Sequence, residues 1–363
     1  MVEGTAGAPV TPHPADHGGV LSEVPLTPLL SWAWIAFTIE TDNAAEAAGS
    51  RRVGRLFRIS LPMWANGLRF IGTEGISAGE LRARARAACN IGGLERWGWI
   101  TVGDATGGRR EGYGSHRGVS SGTVLRATRA GAYARRLWPE AVAGTEQRWR
   151  DRFGDTAVGA LQHALQGYPR QMPAALPEVH ASDGFGTHVV EGPGPDEDGW
   201  LAGRLAHALT SLTLAHEQGA PVSLPLAANF LRVIGGEQAR VRDLPALAGV
   251  SKEAVAVAAG YLERTGLAAS GPQRSVTLTA AGRSALEDYR ARATARDDPA
   301  LRAALKAVLS QREALAAGLV PPPGCWRGEK PYLAQTRRVL ADPAAALPWH
   351  PMVLHRGGWP DGS

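Results

Sequence analysis

The amino-acid sequence predicts a mainly α-helical protein made of two repeated units, each of which carries a small β-hairpin. The first observation is a repeated helix opening, SLPMWANGLRFIG at 60–72 and SLPLAANFLRVIG at 223–235. Nine of these thirteen positions are identical, whereas average composition gives about one identity by chance. The second observation is that further matches follow in the same order. The third is a hairpin pattern in each half, with a Gly-rich loop in the first copy and a short turn in the second.

Four further pairs of segments extend the repeat. They are 38–42 with 213–217, 94–98 with 262–266, 128–131 with 279–282, and 159–165 with 303–309. Five landmarks in one order indicate a duplicated unit of roughly 130 residues. The largest insertion lies between Gly98 and Thr128, where the first copy is 17 residues longer.

Local signals predict the same order of elements in each unit: four helices, a hairpin and two more helices. A serine with a proline two residues later predicts helix starts at Ser60 and Ser223. Ser77 with Glu80 has the capping-box spacing, and Ser251 precedes another apolar helical period. Strands are expected at 98–102 and 124–125, and long helices at 129–152 and 280–296.

Composition shifts predict where the units begin and end. The segment EGPGPDEDG at 191–199 is typical of a linker. The extension after the second unit holds three tryptophans among prolines, which is unusual for a free tail, so we expect it to pack on both units. The predicted regions are a disordered arm (1–26), a first unit (27–175), an acidic Pro/Gly linker (176–199), a second unit (200–318) and a Trp/Pro-rich extension (319–363).

Charge is distributed unevenly along the chain, whose formal net charge is +5. Residues 51–152 hold 19 arginines and 8 acidic residues, whereas residues 153–220 hold 2 arginines and 8 acidic residues. A basic first half predicts a polyanionic partner. The alternative is a solvated arginine-rich surface of the kind that GC-rich genomes encode.

Few features point to a membrane, a disulfide framework or a metal. Only Cys89 and Cys325 are present, so a reducing cytoplasm is expected. The N-terminus lacks the pattern of a signal peptide, and the apolar stretch around 29–39 is too short to span a bilayer. The ten histidines show no paired metal-ligand spacing, and no cofactor motif is present.

The order helix, turn, helix ending in LER-x-G, then hairpin and T-x-x-G is the ground plan of a winged helix. The second copy, VSKEAVAVAAGYLERTGLAASGPQRSVTLTAAGRSAL at 250–286, resembles the MarR-type transcriptional regulators. That resemblance implies two tandem winged-helix domains that form an intramolecular pseudo-dimer and bind double-stranded DNA. The alternative is two independent domains on a linker.

The resemblance also implies which residues contact DNA. In the first copy the recognition segment is expected at 88–97, and a long Gly-rich wing at 103–122. In the second copy Val257 and its alanine neighbours fill the middle of the recognition helix, which weakens the case for base reading there. The predicted DNA-binding residues are Arg82, Arg84, Arg86, Asn90, Arg96, Arg109, Arg110, His116, Arg117, Ser251, Lys252 and Arg274.

Aromatic residues in the first copy suggest a second kind of site. In MarR-like folds a crevice between the dimer helices and the winged helix binds small effectors, so an aromatic or hydrophobic effector is expected there. The predicted ligand-binding residues are Trp32, Trp34, Glu40, Trp64 and Asn66. The alternative is that these are core aromatics beside solvated acids.

We find no sequence motif of an enzyme, such as a nucleophile elbow, a phosphate-binding Gly loop or a zinc cluster. The sequence therefore predicts a non-enzymatic DNA-binding regulator. The competing hypothesis is a winged-helix protein that lost DNA binding and acts as an enzyme or a protein scaffold through its Trp-rich crevice. Cys89 as an oxidant sensor is a further alternative, although sensor cysteines of such regulators lie elsewhere in the fold.

Overall fold

Helices make up most of the chain, and two small antiparallel β-sheets contain the strands of the described residues. The sequence prediction of a mainly α-helical fold with small β-hairpins is thereby confirmed. The computed structural model describes residues 21, 24–53, 57, 59–87, 89–103, 119–168, 200–220, 224–235, 238–330 and 332–351. The predicted acidic linker, and the N-terminal arm up to residue 20, lie outside them.

The first unit contains six helices and three strands among the described residues. They are α1 (Leu26–Val53), α2 (Leu61–Asn66), β1 (Ile76–Ser77), α3 (Ala78–Ala85), α4 (Ile91–Arg96), β2 (Ile100–Gly103), β3 (Val124–Ala127), α5 (Arg129–Phe153) and α6 (Asp155–Gln166). A short 3-10 turn, Leu68–Phe70, follows α2.

The second unit repeats this order element by element. It consists of α7 (Leu201–Glu217), α8 (Leu224–Ile234), β4 (Ala239–Arg240), α9 (Leu244–Ala248), α10 (Lys252–Arg264), β5 (Ala268–Gly271), β6 (Ser275–Leu278), α11 (Ala280–Ala295) and α12 (Pro299–Leu309). The C-terminal extension follows α12, earlier than the predicted boundary at residue 319, and consists of α13 (Arg312–Leu319), α14 (Leu333–Ala341) and α15 (Pro343–Ala346).

The two sheets have the same topology, with strand orders β1-β3-β2 and β4-β6-β5. In each sheet the last strand along the chain is central and pairs antiparallel with both others. Leu125 of β3, for example, lies opposite Ile76 of β1 and Val102 of β2. The edge strands β1 and β4 are two residues long, which is why the sequence analysis predicted only the hairpins.

A shared T-x-x-G motif begins the long helix after each hairpin. Oγ1 of Thr128 accepts a hydrogen bond from the backbone N–H of Gly131 at 3.1 Å, and Thr279 does the same for Gly282 at 3.1 Å. A Cβ on Gly131 would overlap the carbonyl oxygen of Trp99. The threonine therefore caps the helix, and the glycine lets the helix approach the strand that begins the hairpin.

Equivalent helices of the two units pack against each other. Helix α1 contacts α7, and α6 contacts α12. Contacts between non-equivalent helices also occur twice, once in each direction. Helix α1 of the first unit contacts α12 of the second, and α7 of the second contacts α6 of the first. These helices share one hydrophobic core with the first sheet, whereas α8 to α11 and the second sheet enclose a smaller core of their own. Helix α1 is buried on nearly all sides, which places it at the centre of the molecule.

The C-terminal extension contacts both units. Helix α13 packs on α1, and α15 packs on α9 of the second unit. The described helices include none that is both long and apolar enough to cross a membrane.

Candidate functional site

Helix α3 carries two of the predicted DNA-binding arginines. Nη2 of Arg82 donates a hydrogen bond to the carbonyl oxygen of Val119 at 2.6 Å, so this half-buried side chain anchors the helix to the segment before β3. Arg84 is exposed and lies 2.6 Å from Glu80, one helical turn earlier. Because an exposed ion pair contributes little stability, Arg84 can exchange this carboxylate for a phosphate.

Arg86 does not lie on the exposed face that the sequence predicted. Helix α3 ends at Ala85, and Arg86 has a φ of 54° in the left-handed region. The side chain is consequently turned off the helix face of Arg82 and is only 3% exposed. This burial removes Arg86 from the candidate DNA contacts. Arg86 lies four residues after Arg82, a spacing that places two side chains on one face only while the helix continues, and here the helix ends one residue too early.

Helix α4 is shorter than the recognition segment predicted at 88–97. Asn90 precedes it as the N-cap, and Oδ1 of Asn90 accepts a hydrogen bond from the backbone N–H of Gly93 at 2.8 Å. An asparagine reads adenine through its side-chain amide, and Oδ1 of Asn90 is already used to cap the helix. Arg96 at the other end is exposed and lies over the ring of Trp97 at 5.4 Å.

Cys89 is held as a thiol. Its Sγ donates a hydrogen bond to the carbonyl oxygen of Asn66 at 2.8 Å. Burial raises the pKa of Cys89 to about 12, although Arg82 acts in the opposite sense. Because oxidation proceeds through the thiolate, this environment argues against the oxidant-sensor alternative.

In the second unit the predicted contacts lie at exposed ends of elements. Oγ of Ser251 accepts a hydrogen bond from the backbone N–H of Ala254 at 3.1 Å and caps α10, whose first residue, Lys252, is exposed. Arg274 is exposed in the three-residue loop between β5 and β6, where Gln273 and Arg274 have φ values of 57° and 55°. Lys252 and Arg274 therefore place positive charge at the surface, but the middle of α10 carries no polar side chain that could read a base.

The first hairpin loop connects β2 to β3. Its residues 104–118 lie outside the described residues. Four predicted DNA contacts fall there, namely Arg109, Arg110, His116 and Arg117.

Glu40, a predicted ligand contact, instead joins α1 to α5. Its Oε1 accepts hydrogen bonds from Nε of Arg148 at 2.7 Å and Nη1 of Arg152 at 3.0 Å. Its Oε2 accepts from Nε1 of Trp149 at 3.0 Å and from Nη2 of Arg152. A Cβ on Gly318 would overlap this carboxylate, so α13 closes the site. Glu40 has no capacity left for an effector, which corrects the sequence-based assignment.

We expect Glu40→Gln to lower the free energy of unfolding by about 2 kcal/mol. The amide would turn one accepting oxygen into a donor that faces the donors of Arg148, Arg152 and Trp149. Urea unfolding followed by circular dichroism measures the loss. Glu140→Gln, at an exposed position of α5, is the matched control and should change the stability by less than about 0.5 kcal/mol. Equal effects of the two variants would contradict the assignment.

The predicted aromatic ligand contacts lie in the core. Nε1 of Trp32 donates a hydrogen bond to the carbonyl oxygen of Leu347 at 3.2 Å, so the extension covers it. Trp34 is fully buried. Trp64 stacks on Trp138 with ring centroids 6.0 Å apart and meets the edge of Trp200 at 5.7 Å. Asn66 is buried as well. Such contacts fit the core alternative, in which these residues stabilise the interior.

Several polar atoms in this part of the core have no hydrogen-bond partner among the described residues. They are Nε1 of Trp34, Trp64 and Trp138 and Oγ1 of Thr38. Buried polar groups are usually satisfied, so these atoms are the remaining observation in favour of an effector near α1, α2 and α5.

Sequence reasoning missed a buried ionic cluster between α1 and the extension. Nη2 of Arg327 donates to Oε2 of Glu46 at 2.8 Å and to Oδ1 of Asn43 at 2.5 Å. The same carboxylate accepts from Nε1 of Trp326 and Sγ of Cys325, each at 3.0 Å. The signal available in the sequence was an acidic residue, Glu46, in a largely apolar helix. That signal does not show that Arg327 is its partner.

Asp42 supports the neighbouring helix from the same side of α1. Its Oδ1 accepts a hydrogen bond from the backbone N–H of Leu61 at the start of α2, at 2.8 Å. Burial raises the pKa of the Asp42 carboxyl well above its usual value, although Arg327 acts in the opposite sense.

Within the described residues, no group of three or more His, Cys, Asp or Glu side chains is placed to hold a metal ion. In comparisons with known proteins, no family model matches the chain, and no match appears among curated proteins or solved structures.

Proposed function

We propose that this protein is a DNA-binding transcriptional regulator, acting in the cytoplasm and built as a tandem winged-helix pseudo-dimer. The observation that carries the proposal is the repeated order of two helices, a short strand, two helices and a hairpin, with the same strand order in both sheets. A helix pair followed by an antiparallel hairpin is the arrangement with which winged helices bind duplex DNA.

The packing of the two units supports the pseudo-dimer. In a two-fold dimer each element meets its own equivalent, and each mixed contact occurs twice. The contacts of α1 with α7 and of α6 with α12 are of the first kind. The contacts of α1 with α12 and of α7 with α6 are a pair of the second kind. Fusing both halves in one chain would make the pairing of the two winged helices independent of protein concentration.

Charge favours the first unit as the main DNA contact. Arg84, Arg96 and Arg129 are exposed, and among the described residues Glu80 is the only acidic side chain that pairs with any of the three. The second unit offers Lys252 and Arg274, which suit phosphates more than base edges. We therefore infer an asymmetric operator, read by the first unit and held by the second.

A small aromatic or hydrophobic effector would release the protein from DNA. Its site would lie near the unpartnered indole nitrogens of Trp34, Trp64 and Trp138. Filling this region would change the spacing or angle between the two winged helices. A compound that acts in this way lowers the affinity for DNA in the binding assay described next.

Fluorescence anisotropy across a salt series tests the proposal, with DNA from upstream of the gene and a scrambled duplex. We expect tighter binding to the upstream DNA and a steep loss of affinity as salt rises. Arg84→Ala/Arg96→Ala should reduce the slope of log K against log salt by about 1 to 2 and weaken the preference for upstream DNA.

Lys252→Ala/Arg274→Ala is the matched pair in the second unit. It should weaken binding to both duplexes equally, because phosphate contacts carry no sequence information. Binding that is absent, or independent of salt, would contradict the regulator proposal. The middle of α10, where Ala256 is exposed and Val257 and Ala259 are half-buried, would then favour a winged-helix scaffold for protein contacts.

A further inference from the structure

The end of the described chain runs as a strap from the first unit into the second. We use the name C-terminal strap for residues 347–351, which follow α15. Two of its carbonyl oxygens accept hydrogen bonds from α1, where Nε1 of Trp32 reaches Leu347 and Oγ of Ser31 reaches Pro348, each at 3.2 Å. The next residues enter the second unit.

The side-chain amide of Asn229 in α8 binds both backbone polar groups of one strap residue, His350. Its Nδ2 donates to the carbonyl oxygen of His350 at 2.8 Å, and its Oδ1 accepts from the backbone N–H of His350 at 3.1 Å. Both residues are fully buried. A side-chain amide that satisfies the N–H and C=O of one residue recognises an extended backbone, as a neighbouring β-strand would.

The strap side chains fill positions between helices of the second unit. The imidazole of His350 lies with Nε2 2.9 Å from Oγ1 of Thr213 on α7. Trp349 lies under the guanidinium of Arg232, 5.2 Å from the ring centre. Nearby, Nε2 of His216 and the hydroxyl of Tyr289 are buried and have no hydrogen-bond partner among the described residues.

The first unit fills the equivalent region with its own side chains. Trp64 of α2 stacks there on Trp138 of α5. The repeat aligns Trp138 with Tyr289, a smaller residue that is buried in the second unit. The second unit consequently needs additional volume from elsewhere in the chain to complete its packing.

Gly249, at the end of α9, is adapted to the approach of the strap. It has a φ of 72°, in the left-handed region. A Cβ there would overlap the carbonyl oxygen of Ala346, immediately before the strap. The close approach and the helix end both require glycine at this position.

From these contacts we infer that the second unit contains a peptide-binding slot formed by α7, α8 and the end of α9, whose ligand is the chain's own C-terminal strap. The slot recognises an extended aromatic–His–Pro segment through Asn229, Thr213 and Arg232. A docked strap fixes the second unit to α1. An undocked strap leaves the second unit free to change its angle relative to α1. The inference does not depend on DNA binding.

Hydrogen exchange of the full-length chain, read by mass spectrometry, tests whether the strap is a separable ligand. In Asn229→Ala, we expect the strap amides to exchange about 10-fold to 100-fold faster, because two buried hydrogen bonds are lost. These amides belong to the three strap residues that are not proline, Leu347, Trp349 and His350. The amides of α7 and α11 should keep their protection. Asn66→Ala, the same residue type at the aligned position, is the matched control and should leave strap exchange unchanged.

Two results would overturn the inference. One is strap exchange in the unchanged chain as fast as in an unstructured peptide. The other is equal acceleration in α7 and α11, because the strap would then be an inseparable part of the core.

A second experiment applies also where Asn229→Ala fails to fold. A fluorescein-labelled peptide with the sequence of 347–351 is added to full-length Trp349→Ala/His350→Ala, whose own strap lacks both anchoring side chains. We expect the labelled peptide to bind this variant and not the unchanged chain, whose slot is occupied. A peptide methylated on the His350 amide nitrogen should bind at least about 10-fold more weakly. Equal binding to both chains, or to neither, would refute the slot.

Discussion

We expect Arg327→Met to lower the free energy of unfolding by about 3–5 kcal/mol, because it leaves a buried carboxylate without its cation. Arg327 has 0% side-chain exposure, and Glu46 has 9%. Methionine retains much of the volume of the arginine stem but supplies no charge and no donor. Glu46 would keep only the hydrogen bonds from Cys325 and Trp326, and neither of those groups is charged.

Urea unfolding of the variant and of two references measures this loss. Arg242→Met is the matched control, because Arg242 is 73% exposed and lies 3.6 Å from an exposed Asp243. The control should cost less than about 1 kcal/mol. Glu46→Gln/Arg327→Met removes both charges and should be more stable than Arg327→Met alone. If Arg327→Met costs no more than Arg242→Met, the buried pair does not stabilise the fold.

We expect acidification from pH 7 to pH 5 to cost about 4 kcal/mol of stability through two buried histidines. Burial lowers the pKa of His216 to about 4, and Arg292 acts in the same sense. Burial likewise lowers the pKa of His350 to about 3. Histidine in the unfolded chain has a pKa of about 6.5. Each of the two side chains therefore lowers the free energy of unfolding by about 2 kcal/mol at pH 5.

The sign follows from which state binds more protons. Between the folded and unfolded pKa values, the unfolded chain binds protons that the folded chain does not, so stability falls as the pH falls below about 6.5. The charged groups that act on His216 are Asp288 and Arg292 of α11 and Arg296, the residue that follows this helix. Asp42 opposes the trend, because its raised pKa makes the folded state bind the proton more tightly as pH falls.

A single variant separates the histidine contribution from that of Asp42. His216→Phe keeps the edge-to-face contact with Tyr289, whose ring centre lies 5.3 Å away, and removes the titrating group. Nε2 of His216 has no hydrogen-bond partner among the described residues, so no bond is lost. Urea unfolding should show a loss from pH 7 to pH 5 that is about 2 kcal/mol smaller in His216→Phe than in the unchanged chain. Identical losses would contradict the assignment.

Local signals in the sequence predicted the elements well. The capping serines are an example, since Oγ of Ser77 accepts from the backbone N–H of Glu80 at 3.1 Å and Ser251 caps α10. The predicted long helix at 129–152 is observed as α5, one residue longer. These features depend on residues a few positions apart, and the long helix recurs in the second copy as α11.

Site residues were predicted less well, because their environment depends on distant parts of the chain. Arg86 and Glu40 both looked available for binding, yet one is buried beyond a helix end and the other is saturated by three residues of α5. Sequence spacing gives the face of a helix, but it does not tell what covers that face.

Short-range signals in the sequence therefore suffice to predict the duplicated order of helices and hairpins, because caps, turns and hydrophobic periods act over short distances. How the interior is completed in each unit depends instead on contacts between distant parts of the folded chain. The first unit uses stacked tryptophans, and the second uses a strap from more than 100 residues away along the chain, as the 121-residue separation of Asn229 and His350 shows. Buried volume and buried charge must be matched across the whole molecule, and that matching is set by packing rather than by local pattern.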